Sequence, residues 1–178
     1  MHYKFLQYIC FVDSCDYKLI SNLPKNIWII YRNYSDIIDI KSIIKLKNFC
    51  RNEKKKFILS NNIKLSIKLG LDGAYVPAFN KSLNVRFYKT KKNFIYLGSA
   101  HNINEIKIKE KQKINYIFLS PFFKKEKKLN PLGIYRFNIL KKITSTNVVC
   151  LGGINRQNLK IMNMVKPFGI ATISLFKN

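Results

Sequence analysis

The sequence contains few cysteines, and their spacing matches no common metal or disulfide site. Cys10, Cys15, Cys50 and Cys150 lie far apart, without a Cys-x-x-Cys pair and without a histidine at ligand spacing. This pattern argues against a zinc site and against a disulfide framework. We therefore expect reduced thiols and a cytoplasmic location.

Long apolar runs and a secretion signal are also missing. No apolar run approaches the ~18 residues that a membrane-spanning helix requires. The first twelve residues lack a basic flank followed by an apolar signal core, and they predict a first strand instead. We expect no membrane partner.

Acidic residues are scarce, with 9 Asp and Glu against 33 Lys and Arg, which gives a formal net charge of +24. Nearly all of the excess is lysine, in segments that are also rich in Ile and Asn, as codon bias in an AT-rich genome would produce. Arginine, the residue that reads base edges, occurs at only five positions. We expect non-specific attraction to nucleic acid at low salt, but not nucleic-acid recognition as the main role.

What the sequence does have is a regular alternation of short apolar segments with amphipathic ones, without a linker, over a single predicted domain of residues 1–178. Such alternation indicates an α/β fold with a parallel sheet. The predicted strands are Phe5–Val12, Trp28–Tyr31, Phe57–Leu59, Ala74–Val76, Phe94–Leu97, Tyr116–Leu119, Val148–Leu151 and Ile170–Leu175. The predicted helices are Ile37–Phe49, Ile63–Leu69, Ile103–Lys111, Ile134–Ile143 and Gln157–Val165. After strands 1 and 4 there is room for only a turn or two of helix.

Eight strands are consistent with a (β/α)8 TIM barrel or with a doubly wound open sheet. The first strand is not followed by Gly-x-Gly-x-x-Gly, which favours the barrel. At 178 residues the chain is short for this fold, which typically needs about 250 residues. It ends just after strand 8, so we expect the eighth helix to be missing or vestigial and a homodimer partner to cover the resulting groove.

The last two predicted strands end in small residues. Val148–Leu151 leads into Gly152-Gly153-Ile154, and the final strand reaches Ile173-Ser174. Glycines after strand 7 and a hydroxyl residue after strand 8 are typical of the phosphate cup of a barrel, where backbone N–H groups approach the anion. An ordinary strand-to-helix turn would give the same Gly-Gly pair.

Taken in order, the strand ends resemble the thiamine phosphate synthase family, which includes the thiazole tautomerases. The segments that carry the resemblance are Leu69–Pro77 (LGLDGAYVP), Leu97–Asn102 (LGSAHN), Tyr116–Phe123 (YIFLSPFF), Leu151–Ile154 (LGGI) and Ile173-Ser174. It implies a synthase that joins a hydroxymethylpyrimidine diphosphate to a thiazole phosphate and releases diphosphate. That chemistry requires charge stabilisation on the leaving group and positioning of the two reactants.

The resemblance also implies roles for individual residues. The residues expected to bind the thiazole phosphate are Gly152, Gly153, Ile173 and Ser174. Those expected on the diphosphate side are Arg32 and Ser99, and Lys128 is expected to act from the loop after strand 6.

This sequence departs from the family pattern where magnesium would bind. The family's acidic ligand positions fall at Asn61 and Asn80, and the strand 2 motif keeps only Arg32. A hard cation such as Mg²⁺ prefers carboxylate oxygen, so the resemblance supports this cofactor only weakly. Two accounts follow: the synthase reaction has been lost, or lysines replace the metal charge. The lysines are Lys124, Lys125, Lys127 and Lys128, which otherwise form a solvated loop.

Three further residues have alternative interpretations. His101 follows strand 5, where tautomerase relatives use a histidine to move protons, but a lone histidine also caps a helix or completes a turn. Arg32 binds diphosphate or pairs with Asp36 or Asp39. Asp13 contacts substrate or caps the next helix. The predicted function is a thiamine phosphate synthase-like enzyme; the alternatives are a tautomerase that uses His101 and a non-catalytic barrel that binds phosphate ligands or RNA.

Overall fold

Eight parallel strands close into a barrel in the order of the chain, with β8 paired to β1. This computed structural model describes residues 6–33, 39–123, 130–172 and 175–176. The strands are β1 Gln7–Val12, β2 Trp28–Tyr31, β3 Lys56–Ser60, β4 Gly73–Val76, β5 Ile95–Ala100, β6 Tyr116–Leu119, β7 Asn147–Leu151 and β8 Gly169–Thr172. The (β/α)8 prediction is confirmed, because an open doubly wound sheet would leave two edge strands unpaired.

Helices follow most of the strands and cover the outside of the barrel. They are α1 Tyr17–Asn22, α2 Ile40–Asn52, α3 Ile63–Lys68, α4 Ile103–Lys111, α5 Gly133–Ile143 and α6 Met162–Val165, with 3₁₀ turns at Leu83–Phe87 and Leu159–Ile161. The connections after β1 and β4 hold one short helix and one 3₁₀ turn, as predicted from their length. None of the helices in these ranges is long and apolar enough to cross a membrane.

Alternate strand residues face the barrel interior and the surrounding helices. Because both of these faces are buried, the strands are continuous apolar runs in the sequence. In β1, Ile9 and Phe11 belong to the cluster inside the barrel, whereas Cys10 and Val12 pack with the buried face of α2. The other strands supply inward residues such as Ile30, Ile58, Leu97, Phe118 and Val149 to the same interior cluster. The interior is therefore a packed core and not a channel.

Aromatic rings close this interior toward the carboxyl ends of the strands. The Phe11 ring lies 5.3 Å from the Tyr75 ring and 6.0 Å from the Phe118 ring, and Tyr75 and Phe118 are 5.4 Å apart. A ligand of the barrel has to bind above these rings, among the side chains and loops of the carboxyl-terminal rim.

Several predicted boundaries differ from the structure. Strand β5 continues to Ala100 instead of ending at Leu97, so Ser99 belongs to the strand itself. The predicted helix Gln157–Val165 is a turn followed by 3₁₀ and α segments, and the Asn155 side chain caps its start by accepting hydrogen bonds from the backbone of Gln157 and Asn158. Strand β8 ends at Thr172, and Leu175 lies in a turn. Phe5 and Ile37 lie outside the described residues.

Candidate functional site at the carboxyl-terminal rim

The carboxyl ends of the strands bring the predicted site residues to one rim of the barrel. Arg32 follows β2, Asn61 follows β3, Asn80 lies in the loop after β4 and Ser99 lies near the end of β5. The Gly152-Gly153 pair follows β7, which is four strands away from β3 in a closed barrel of eight. The rim therefore has two sectors that face each other across the barrel mouth.

The Gly152-Gly153 turn is a conformation that other residues would not adopt easily. Both residues have positive φ, 104° for Gly152 and 70° for Gly153. A Cβ atom on Gly153 would lie 2.7 Å from Cβ of Phe123, and one on Gly152 would lie 3.0 Å from Cα of Pro121. The two glycines are therefore required by backbone conformation and by close packing against the loop after β6.

The carbonyl groups of this turn are all bonded within the protein. The Leu151 and Gly152 carbonyls accept from the backbone N–H groups of Phe122 (2.9 Å) and Phe123 (3.1 Å), and the Gly153 carbonyl accepts from Asn158 Nδ2 (2.8 Å). A trans peptide points each carbonyl and the following N–H in opposite directions. The N–H groups of Gly152 and Gly153, which follow the two carbonyls bonded to Phe122 and Phe123, therefore point away from the β6 loop, the orientation that an anion cup needs.

The β8 end of this sector is described only in part. Thr172 is buried, and its hydroxyl oxygen accepts a hydrogen bond from the Leu175 backbone at 3.0 Å. The predicted phosphate contacts Ile173 and Ser174 lie outside the described residues.

On the opposite side, Arg32 sits above the aromatic rings that close the barrel. Its backbone N–H donates to the Val12 carbonyl at 2.8 Å, and its guanidinium carbon lies 5.0 Å from the centre of the Phe11 ring. No carboxylate among the described residues pairs with it. Asp39 caps α2 through the backbone of Ser42 (3.1 Å), and Asp36 is not described. Arg32 is therefore positioned to meet an anion at the mouth.

The structure brings Asn61 and Asn80 into direct contact. Asn80 Nδ2 donates to Asn61 Oδ1 at 2.9 Å, while Asn80 Oδ1 accepts from the Ser82 backbone at 3.2 Å. The backbone N–H of Ser82 can only donate, so it fixes which end of the Asn80 amide is oxygen and which is nitrogen. The two positions are neighbours, as the resemblance implies for ligands of one ion.

A buried lysine in α4, which the sequence analysis missed, supports the loop that carries Asn80. Lys109 Nζ donates to the carbonyls of Pro77 (2.8 Å) and Asn80 (2.9 Å) and to Gln112 Oε1 (3.0 Å). Burial lowers the pKa of Lys109 to about 8, against the opposing charge of Glu105. One signal was available in the sequence: Lys109 lies three residues after the buried Ile106, on the apolar face of the helix.

Two strand residues fix this lysine and the β4 loop in place. Gly98 leaves room for the lysine stem, because a Cβ there would lie 3.0 Å from Cδ of Lys109. The buried Ser99 hydroxyl accepts from the Ala78 backbone at 3.0 Å. Ser99 therefore positions the β4 loop, and its own proton remains available for a ligand oxygen.

His101 forms hydrogen bonds with Glu105 in helix α4, which begins two residues later. Its Nδ1 lies 2.8 Å from Glu105 Oε2, and its backbone N–H donates to the same oxygen at 2.7 Å. Burial alone would raise the pKa of Glu105, but the hydrogen bonds from His101 outweigh it and lower that pKa. The ring lines a groove between α4 and α5 together with Leu132, Arg136 and Ile139.

The donor atoms on this rim do not suit a divalent metal ion. The Asn61 and Asn80 side-chain oxygens both accept hydrogen bonds from the protein. Within the described ranges, no group of three or more His, Cys, Asp or Glu is placed to hold a metal ion. Lys128 and its neighbours Lys124, Lys125 and Lys127 lie outside those ranges.

Comparisons with known proteins point to one family. Residues 27–176 match the family model described as thiamine monophosphate synthase. The chain is 27% identical over 162 residues to the putative thiamine-phosphate synthase 2 of Aquifex aeolicus, covering 86% of this chain and 85% of that protein. It is also 27% identical to a thiamine-phosphate synthase of Haemophilus influenzae, covering 72% of this chain and 59% of that protein. The match to Koribacter versatilis thiamine-phosphate synthase spans 50% of that protein, so the chain covers about half to three fifths of several curated relatives.

Solved structures show the same fold. The thiamine phosphate pyrophosphorylase from Pyrococcus furiosus superposes with a TM-score of 0.73 at 16% identity, covering 96% of this chain and 86% of that one. The N-(5'-phosphoribosyl)anthranilate isomerase from the same organism gives 0.65 at 12% identity, covering 98% of this chain and 90% of that one. The fold alone is common to different enzymes, whereas the family model matches most of the chain. This chain belongs to the thiamine monophosphate synthase family.

Proposed function

We propose that the protein is a transferase of thiamine biosynthesis that couples hydroxymethylpyrimidine diphosphate with thiazole phosphate and releases diphosphate. The observation that carries this proposal is the pair of facing sectors on one rim. The Gly152-Gly153 turn supplies N–H donors on one side, and on the other Arg32 provides a cation with which no carboxylate of the described residues pairs. Two phosphorylated substrates need two such anion sites, held across a shared reaction centre.

In the proposed reaction, the bond between the pyrimidine methylene carbon and the diphosphate oxygen breaks. Its electron pair leaves with diphosphate, and the methylene carbon becomes cationic. The thiazole nitrogen then donates its lone pair to that carbon, which forms the new C–N bond of thiamine phosphate. No proton has to be removed from either reactant, so the protein's task is to stabilise the departing charge and align the two reactants.

The residues on the rim fit this task. Arg32 would bind the leaving diphosphate, and the proton of Ser99 would donate to the same group. The N–H groups of Gly152 and Gly153 would hold the thiazole phosphate with Ile173 and Ser174, and Lys128 stays a candidate from the family resemblance alone. The rings of Phe11, Tyr75 and Phe118 form an apolar floor that limits water below the reacting atoms. The donor atoms of the described residues on this rim offer no support for Mg²⁺.

Titration calorimetry with each substrate alone tests the two sectors separately. Gly153→Asp is expected to abolish thiazole phosphate binding, because its carboxylate would occupy the anion position, and to leave pyrimidine diphosphate binding intact. Gly153→Ala is the matched control: it introduces the same backbone strain without the charge. Equal losses of thiazole phosphate affinity in the two variants would contradict the cup, and circular dichroism checks that both variants are folded.

A thiazole tautomerase is the second candidate, favoured by the pairing of His101 with Glu105 near the end of β5. In this alternative the ring would move protons on the thiazole carboxylate. The variant His101→Ala then removes isomerisation of the thiazole substrate. If the protein is a synthase, the same variant retains thiamine phosphate formation, since the reaction above uses no base.

A cytoplasmic location, a homodimer and non-specific attraction to nucleic acid stay predictions. Size-exclusion chromatography with light scattering tests the dimer, and a purely monomeric result would remove it.

A further inference from the structure

We propose that Asn61 and Asn80, together with Arg32 at the end of the neighbouring strand β2, bind the diphosphate group directly through N–H donors, in place of a divalent cation held by carboxylates. We call these three residues the amide sector. The inference rests on the proposed function for the identity of the anion, but not for the character of the site.

The orientation of the two amides decides what this sector can bind. The Ser82 backbone N–H donates to Asn80 Oδ1, so Asn80 Nδ2 faces Asn61. The Asn61 side chain therefore accepts this hydrogen bond through its oxygen. Each side-chain oxygen thereby commits one of its two lone pairs to a protein donor. Within the described part of the chain, Asn61 Nδ2 has no acceptor, and Asn80 Nδ2 has one hydrogen left beyond its bond to Asn61. Free N–H donors suit an anion, whereas a divalent cation prefers negatively charged carboxylate oxygens, which neither asparagine supplies.

The fixed charge around the sector also favours an anion. Lys109 donates to the Asn80 backbone carbonyl at 2.9 Å and brings a buried ammonium group behind the loop. Arg32 follows the neighbouring strand β2, and its guanidinium group lies above Phe11. Two carboxylates lie on the same rim. Asp13 follows β1, and Glu105 forms hydrogen bonds with the backbone N–H and the Nδ1 atom of His101. Asp13 and Asp16 line the same small pocket as Arg32, but no carboxylate among the described residues forms an ion pair with it. One cation therefore lies behind the Asn80 loop, and a second follows the strand next to β3.

Direct binding of phosphate by such groups is chemically sound. Guanidinium and amide N–H donors form short, charge-assisted hydrogen bonds with phosphate oxygens. Protein cations and oriented dipoles stabilise a leaving phosphate group as a metal ion does, provided that they are positioned in advance. The hydrogen bonds of Asn80 to Asn61 and Ser82 supply that positioning.

The first experiment titrates inorganic diphosphate into the whole protein by calorimetry, once in excess EDTA and once in Mg²⁺. We expect binding in EDTA that is at least as tight as binding in Mg²⁺, since the metal only competes for the free anion. Binding that requires Mg²⁺ would overturn the inference.

The second experiment restores the carboxylates with the double variant Asn61→Asp and Asn80→Asp. Diphosphate binding in EDTA should weaken by about a hundredfold or more, because two carboxylates repel the anion and have no N–H to donate to it. Addition of Mg²⁺ should recover part of the loss. The control is Asn93→Asp with Asn104→Asp, which makes the same charge change at two exposed positions outside the sector and should leave diphosphate affinity unchanged. An unchanged affinity in the double variant would contradict the inference.

Formation of thiamine phosphate under the same two conditions separates this inference from the proposed function. Product formed only with Mg²⁺ would support the function and overturn metal-free binding. Diphosphate bound in EDTA without any product would support the amide sector and count against the synthase. If diphosphate does not bind under either condition, the amide sector is wrong, whether or not thiazole phosphate binds.

Discussion

Gly153 and Gly133 both have positive φ but differ in their surroundings, which makes them a test of the glycine turn at the level of single residues. A Cβ on Gly153 meets Phe123 at 2.7 Å, whereas a Cβ on Gly133 meets nothing within 4 Å. Gly153→Ala should cost ~2–4 kcal/mol of unfolding free energy, from left-handed strain plus overpacking, and Gly133→Ala only ~1 kcal/mol. Urea unfolding of the two variants measures the difference, and equal losses would contradict the close packing.

Lys109 predicts a pH dependence of stability. Burial lowers its folded pKa to about 8 from 10.5, so between these values the unfolded chain binds more protons than the folded one. Stability attributable to this lysine should therefore rise as pH increases from about 8 to about 10.5, and stay constant below about 8. The variant Lys109→Met removes the rise. Lys107→Met, an exposed position in the same helix, should retain it in urea unfolding at pH 7.5 and 9.5.

The sequence predicts the roles of the rim asparagines and of Gly98 only in part, because these roles depend on neighbours that are distant in sequence. The positions of Asn61 and Asn80 followed from resemblance, but the direction of each amide is fixed by the Ser82 backbone. Nothing in the local sequence specifies that hydrogen bond. The same holds for Gly98, whose missing side chain makes room for a lysine in α4.

Among the elements, the start of α1 corrects one expectation. Asp13 was a candidate cap, but Asp16 accepts the Leu19 backbone N–H at 2.8 Å, and Asp13 is exposed. Asp16→Ala should therefore destabilise the protein by about 1 kcal/mol, and Asp13→Ala should change stability by less than about 0.5 kcal/mol. Thermal or urea unfolding distinguishes them, and a larger effect at Asp13 would contradict the assignment of the cap.

Strands were predictable because their two buried faces leave continuous apolar runs, and Trp28–Tyr31 and Tyr116–Leu119 have the predicted bounds. Helix α4 was also predicted with its observed bounds, since its start is marked by the Asn102 cap. The segment after β7 was predicted only as one continuous helix, whereas the structure divides it into a turn, a 3₁₀ segment and a short α-helix. The period of apolar residues does not separate these forms.

At the scale of the whole molecule, the net charge of +24 predicts an attraction to polyanions that is separate from the amide sector. Binding to single-stranded RNA should fall steeply with salt, because it depends on release of counterions from the phosphates. The Asn61→Asp and Asn80→Asp double variant should bind RNA no worse than the matched Asn93→Asp and Asn104→Asp control. A selective loss in the amide-sector variant would mean that RNA uses the diphosphate site.

The barrel as a whole was inferred from strand count and from the lack of a dinucleotide-binding glycine motif, and closure of β1 onto β8 confirms it. The placement of the two proposed anion sectors on one rim was accessible from the same reasoning, because carboxyl ends of barrel strands share one rim. What the sequence could not supply was the buried network of Lys109, Gln112 and the β4 loop, which joins segments about 30 residues apart.

The most direct test of the proposed function is a single incubation of purified protein with hydroxymethylpyrimidine diphosphate and thiazole phosphate, with chromatographic detection of both products. We expect thiamine phosphate and diphosphate to appear in equal amounts, and to appear in EDTA as well as in Mg²⁺. Absence of thiamine phosphate under both conditions, from a folded protein that is given both substrates, would contradict the synthase assignment.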